Sequence, residues 1–428
     1  MANETEIQKN APKKKPNKIL KIIGRIVLVI FICFILLVVA IRTPWAQNFI
    51  IGKVVSFVSG KTHTKIAIKK LFITFDGDVQ LDGLYLEDTK GDTLIYSKSM
   101  EANVPLWAMV RGKGMGVDAL NWEGVRANII RNDSVSGYNF QFLLDAFASK
   151  DSATVKTDTT ASPVNMVLGR LLFKDFDIVF NDAVAGINSR FKIGTLKARM
   201  KKTDLEQMVF EASNLELAQS DIKFIEKSVP KTPQEKPSQL PSFVVKKLRL
   251  DHVIAYYKSD ETTMEASVGI NALYAEIPNI NLTSKTFELD DFRLKNSAIT
   301  LHIQTEKNAP TQQAEKDPAP FEWPAIRFAI GSLDFENNKF SYFVNKTKAK
   351  SGYLNPNALE LTNFDLLANS IQLKDKTANL NIENAQFKER SGFNLKALKL
   401  NFNATDTALT LSNLKASLNN TFMEGDLQ

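Results

Sequence analysis

The sequence predicts an all-β body, an elongated repeating antiparallel β-sheet with one apolar face, preceded by one transmembrane helix and a short amphipathic helix. Three observations predict it. From Lys65 onward apolar and polar residues alternate with a period of two, as in KIAIKKLFITF and DVQLDGLYLED, and Asp-Gly and Lys-Gly-Asp turn signals separate the runs. The pattern recurs: FEASNLELAQSDIKFIE (210–226) overlies FELDDFRLKNSAITLHI (287–303), with Phe210/Phe287, Glu211/Glu288, Leu217/Leu294, Ser220/Ser297 and Ile222/Ile299 shared. Ahead of the body, Ile22–Ile41 is a run of 20 residues with a single charge, Arg25.

The N-terminal elements follow from charge and length. The formal net charge is +7, but Lys9, Lys13, Lys14, Lys15, Lys18, Lys21 and Arg25 stand against only Glu4 and Glu6. The body is therefore nearly neutral, which removes nucleic acid as a partner. Residues 1–21 read as a basic cytoplasmic tail and 22–41 as a transmembrane helix, about 30 Å long. The lysines before it place everything after Arg42 on the far side of the membrane. Residues 43–60 read as an amphipathic helix, capped by Thr43, opened by Pro44 and closed by Gly60. It either lies on the membrane surface or plugs the end of a sheet, and the need to cover the first strand favours the plug.

The body divides into a first β unit (65–148), a β repeat (164–226), a second (242–305) and further repeats (323–428) expected to continue beyond the chain end. QFLLDAFA (141–148) is the best helical stretch after Gly60, and the rest of the body reads as a succession of short strands. Residues 168–226 align without a gap on 245–303, pairing Leu171 with Leu248, Phe173 with Leu250 and Phe180 with Tyr257. A third copy begins at Ile330, with Leu333, Phe335, Phe340 and Tyr342 in the corresponding places. Each copy shifts phase by one residue, near Lys174-Asp175 and Asp251-His252, which predicts a bulge or tight turn there. The segments 149–163, 227–241 and 306–322 are rich in Lys, Glu, Pro, Ser, Thr and Gln and read as insertions with no core. They are either linkers between domains or excursions from one continuous sheet.

A long one-faced sheet must be covered by a second sheet, closed on itself, or occupied by apolar cargo, because exposed strips of that size are not tolerated. The candidate lining is Leu171, Phe173, Ile178, Phe180, Phe210, Leu215, Leu217, Ile222, Phe224, Leu248, Leu250, Tyr257, Phe287, Phe292, Leu294, Ile299, Leu301, Leu333, Phe335, Phe340 and Tyr342. No catalytic, cofactor or metal set stands out: Cys33 is the only cysteine, and His63, His252 and His302 are far apart. RGKGMG (111–116) has glycines but follows no βα unit, and reads as a turn. An enzyme is not expected.

Residues 71–133 resemble the N-terminal region of the AsmA-like superfamily, in particular its TamB-type proteins from Bacteroidetes-like bacteria. A strand pair carries Val79, Leu81, Leu84, Leu86 and Asp88, followed by Asp92–Leu94. An apolar segment then runs from Leu106 to Arg131, with Trp107, Gly112, Val117, Leu120, Trp122, Val125 and Ile129 in the pattern's places. The resemblance implies a single-span inner-membrane protein whose periplasmic body curls into a groove (β-taco-like). It implies phospholipid as cargo, outer-membrane biogenesis as the process, and a BamA/TamA-type outer-membrane barrel as partner, through a C-terminal region not recognisable here. The alternative is a scaffold for outer-membrane protein assembly, templating client strands at a sheet edge.

Overall fold

The computed structural model describes residues 43–74, 78–104, 116–147, 167–204, 209–229, 242–281, 284–305 and 322–428, with Leu28, Val29, Ile32 and Val39. The basic tail, the rest of the predicted transmembrane run, the RGKGMG turn apart from Gly116, and nearly all of the three insertions lie outside those residues. Among the described residues no helix is long and apolar enough to cross a membrane.

Among the described residues, twenty strands form one sheet. β1 (Ile66–Ala67) and β2 (Lys70–Ile73) pair end to end with β3 (Asp78–Glu87), followed by β4 (Thr93–Asn103) and β5 (Gly116–Arg131). β6 (Val167–Asp182), β7 (Ile187–Asp204) and β8 (Val209–Glu226) form the next unit. The following unit has β9 (Ser242–Val245) continued by β10 (Lys247–Ser259), then β11 (Met264–Glu276) with β12 (Asn279–Asn281), and β13 (Thr286–Lys295) with β14 (Ala298–Ile303). β15 (Arg327–Val344), β16 (Ala358–Lys374), β17 (Thr377–Glu389), β18 (Asn394–Ala404), β19 (Leu409–Leu418) and β20 (Thr421–Leu427) complete it as an antiparallel meander.

Two expectations are corrected here. The strands are not short: β7, β8 and β15 each have 18 residues. Nor is the sheet wholly antiparallel, because β5–β6, β8–β9/β10 and β13/β14–β15 pair in parallel. The reason is arithmetic. Three antiparallel strands end pointing the way they began, so a next unit laid in the same orientation must start parallel to the last strand. A parallel join needs a long crossover connection, and each of the three insertions falls in one. With collinear segments merged, about sixteen rungs span about 70 Å.

The phase shift is a bulge within the run of a long strand rather than a turn between two short ones. Asp175 (φ 53), Gln219 (φ 50), His252 (φ 51), Asn296 (φ 50), Asn337 (φ 51) and Asn363 (φ 50) are all left-handed, as are Gly83 and Gly124. They fall opposite one another: Lys174 pairs with Glu123 and Phe176 with Val125, while Asp251 pairs with Ala218 and Val253 with Ser220. Asn, Asp and His tolerate this conformation best among residues with a Cβ. One continuous line of bulges thus crosses the sheet. Where it interrupts the ladder, Ser220 Oγ accepts from Gly194 N–H (3.2 Å) and donates to the Ala218 carbonyl (2.9 Å). Ser297 does the same with Asn271 (3.1 Å) and Lys295 (2.9 Å), one repeat later.

A second line, unforeseen, lies nearer the strand starts, between Leu168 and Leu171 and between Leu289 and Phe292. Glycine is required there by close approach: a Cβ on Gly169 would sit 2.3 Å from the Asp118 carbonyl oxygen, and one on Gly331 would sit 2.6 Å from that of Asp290.

Helix α1 (Pro44–Thr62) packs against β1, β2 and the short helix α2 (Gln141–Phe147). Thr43 Oγ1 accepts from Ala46 N–H (3.3 Å), as the cap reading requires. The C-terminal cap is His63, left-handed at φ 56, rather than Gly60. The helix is also not amphipathic in the expected sense. Ile50, Ile51, Val55 and Val58 are half-buried beside buried Gln47 and Thr62, whereas Trp45, Phe49 and Phe57 are exposed, so apolar residues lie on both sides.

Candidate functional site: the apolar face of the creased sheet

The predicted lining falls into cross-strand rows. One row runs Leu171, Ala198, Leu215, Leu248, Ala275, Phe292, Leu333; beside it lies Phe173, Leu196, Leu217, Leu250, Leu273, Leu294, Phe335. Beyond the bulge line come Ile178, Phe191, Ile222, Ala255, Val268, Ile299, Phe340 and then Phe180, Ser189, Phe224, Tyr257, Ala266, Leu301, Tyr342. Phe210 pairs with Phe243, and Phe287 with Ile280 and Phe328, nearer the strand starts.

Side chains from both sides of the bulge line meet above it. Phe173 and Phe176 stack at 5.0 Å, Trp122 packs edge-on against Phe176 at 5.5 Å, and Phe335 lies 6.1 Å from Phe340. The row on the line itself is the most enclosed: Val125, Phe176, Val253 and Ile270 are buried, with Ser220, Ser297 and Asn338 among them. These floor residues were absent from the predicted lining, although the phase shift that places them was legible. On either side, every predicted lining residue except Leu294 is only half-buried. Leu294, 2% exposed, is a packed core residue within the Val253–Ile270 cluster. Among the described residues no second layer covers these rows.

The opposite face is a ladder of ion pairs. Arg190 holds Asp177 in a bidentate pair (2.8 and 2.7 Å), Lys197 reaches Glu216 (3.2 Å), and Lys247 reaches Glu276 (2.9 Å). The cation's hydrogen bond depresses the carboxyl pKa in all three. Such exposed pairs contribute little stability but keep this face wet. The buried exception is Arg131–Asp182, at the strand ends. Asp182 is 1% exposed and also accepts from Tyr138 Oη (2.7 Å) and the Ala185 N–H (2.9 Å).

The histidines are spread through the fold. His63 caps α1, His252 is a bulge residue whose Nδ1 lies 2.6 Å from Asp251, and His302 stacks on Phe343 at 4.8 Å. No family model matches the chain, and no curated protein sequence is significantly similar to it.

Proposed function

We propose that this chain is a TamB-type member of the AsmA-like superfamily. On this reading it is anchored in a bacterial inner membrane by residues 22–41, with its sheet in the periplasm. The sheet, curled along its bulge lines into a groove, carries phospholipid acyl chains toward the outer membrane and so serves outer-membrane biogenesis. The observation that carries the reading is the set of apolar rows crossing unit after unit, half-buried and without a covering layer among the described residues. A packed core would enclose its Leu and Phe side chains; a face that accepts sliding cargo leaves them partly open. The bulge lines support the curl, since left-handed bulges aligned on every unit turn both flanks of each strand toward the same side. Partnership with a BamA/TamA-type barrel belongs to the same proposal and rests on the resemblance of residues 71–133.

The test exploits adjacent residues on opposite faces. A photo-activatable benzoylphenylalanine is placed at Ile222, Lys223 or Phe224 of the full chain in cells, and adducts are analysed for lipid. Adducts at Ile222 and Phe224 but not at Lys223 are expected. Their absence from Ile222 and Phe224, or equal yield at Lys223, refutes lipid carriage on this face.

A further inference from the structure

Apart from Phe147 of α2, the outer side of α1 has no partner among the described residues. Trp45, Phe49, Lys53, Phe57 and Lys61 recur at intervals of four and form one stripe along the helix. Trp45, Phe49 and Phe57 are 77%, 56% and 58% exposed. They contact one another and their lysines: Trp45 stacks on Phe49 at 6.1 Å, the Lys53 ammonium lies 5.5 Å from the Phe49 ring, and Lys61 lies 5.3 Å from Phe57. Phe57 also meets Phe147 of α2 (6.2 Å), itself exposed, which widens the patch. The other side of α1 is occupied by β1 and β2, so the stripe is not an unfinished core contact.

We propose that this stripe seats α1 in the interfacial layer of a phospholipid bilayer and fixes the first rung of the sheet at the membrane surface. Three features select a bilayer over other occupants. Aromatic rings alternating with lysines suit the headgroup layer, where rings sit beside acyl carbonyls and ammonium groups meet lipid phosphates. The ammonium–ring contacts keep each cation beside an apolar surface, which suits a site at a polar–apolar boundary. And the apolar run Ile22–Ile41 ends two residues before the Thr43 cap, so a spanning run delivers Pro44 to the interface. The inference rests on the proposed anchor, and it adds an orientation: α1 lies in the membrane surface, and the apolar rows begin against lipid rather than across a gap of water.

The test uses the full chain with Cys33→Ser, carrying Phe49→Cys on the stripe, or Ser56→Cys, exposed and two turns from Phe49 on the same side of the helix, or Lys223→Cys on the polar face of β8. Each thiol is labelled with an environment-sensitive fluorophore and the chain is reconstituted in vesicles of phosphatidylcholine and phosphatidylglycerol. The vesicles contain lipids bearing a nitroxide either near the headgroup or at the acyl terminus. The stripe labels should be quenched about twofold or more over the position-223 label, and more by the shallow nitroxide than by the deep one. Combining Trp45→Ala and Phe57→Ala with the Ser56→Cys label should abolish that quenching while the chain still floats with the vesicles. Chains that float but show no shallow quenching overturn the seat and leave the anchor standing. Chains that fail to float overturn the anchor and the seat together. Cross-linking between stripe labels of two chains, without quenching, assigns the stripe to a second copy and overturns the bilayer proposal.

Discussion

Asn338 offers the sharpest test of how the bulge line is held together. It is 0% exposed on the floor of the apolar face. Its Oδ1 accepts from the Ser297 N–H (3.0 Å), and its Nδ2 donates to the Leu294 carbonyl (2.8 Å). Those two backbone groups flank left-handed Asn296, where β13 stops and β14 starts. Asn338→Ala removes two hydrogen bonds worth about 1 kcal/mol each and strands a buried donor and acceptor, so the local cost is about 2–4 kcal/mol. Because a repeat array need not unfold in one step, the assay is hydrogen exchange by mass spectrometry on the full chain, read on peptides covering 291–303. Opening there should become roughly thirty- to a thousand-fold more frequent, the same cost expressed as an equilibrium constant. The neighbouring Asn337 is exposed and left-handed, so Asn337→Gly should leave those peptides nearly unchanged. Unchanged exchange in Asn338→Ala, or an equal effect of Asn337→Gly, would refute the argument that buried side-chain amides complete the bulge.

Two further outcomes follow from named contacts. Gly331→Ala drives a Cβ into the Asp290 carbonyl and should destabilise the β13–β15 pairing by about 1–3 kcal/mol, whereas at Gly269 the nearest atom to an added Cβ is 3.9 Å away and Gly269→Ala should be neutral or slightly stabilising; thermal melts of the two variants compare them directly. Burial raises the Asp182 carboxyl pKa, but hydrogen bonds from Arg131, the Ala185 N–H and Tyr138 outweigh it and hold the group below its ordinary value; a depressed folded pKa stabilises above the unfolded carboxylate range and is lost as pH falls through the folded value, so Asp182→Asn should cost about 3 kcal/mol near neutrality and the gap should narrow below about pH 4 in denaturant titrations followed by circular dichroism.

Much of this was legible in the residues because a strand writes its faces into alternate positions. Offset-matched residues such as Phe173 and Leu250 land in the same row of the sheet, and so do their third-copy counterparts, as with Leu250 and Phe335. The shift at Asp175 and His252 marked the bulge line as well, but read locally a phase change cannot be told from a turn, and long strands were therefore cut into short ones. The second line went unnoticed because small and polar residues occupy it: Gly169 and Gly331 matter through an atom of the neighbouring strand, which no single strand's pattern reveals. Parallel joins were hidden for a similar reason, since alternation is blind to strand direction; three strands per unit and the placement of the insertions held the information. For α1, Trp45, Phe49 and Phe57 were visible at helical spacing, yet only the sheet's position showed which side they occupy.

The energetics of the half-open face bear on the proposed cargo. Complete burial of a Leu or Phe side chain is worth about 1.5–3 kcal/mol, so one that keeps up to about a third of its area exposed leaves at most about 1 kcal/mol unrealised. Twenty of the twenty-one predicted lining residues are in that condition. Distributed evenly along the rows, this is a driving force that favours an apolar chain at every rung and singles out none, which is what passage along the face needs. A polar group on the floor would interrupt it only if it presented an unpaired donor or acceptor, since that is what burial against an alkyl chain penalises. Ser220, Ser297 and Asn338 do not, because their hydrogen bonds are spent on the backbone at the bulges. Ser189, between Phe180 and Phe224, has a buried hydroxyl without a partner, so the flank beyond the bulge line is the less uniform side. The same bulges that turn the flanks toward each other therefore also consume the polar atoms that turning them exposes, and the floor along Val125, Phe176, Val253 and Ile270 stays apolar to whatever lies on it.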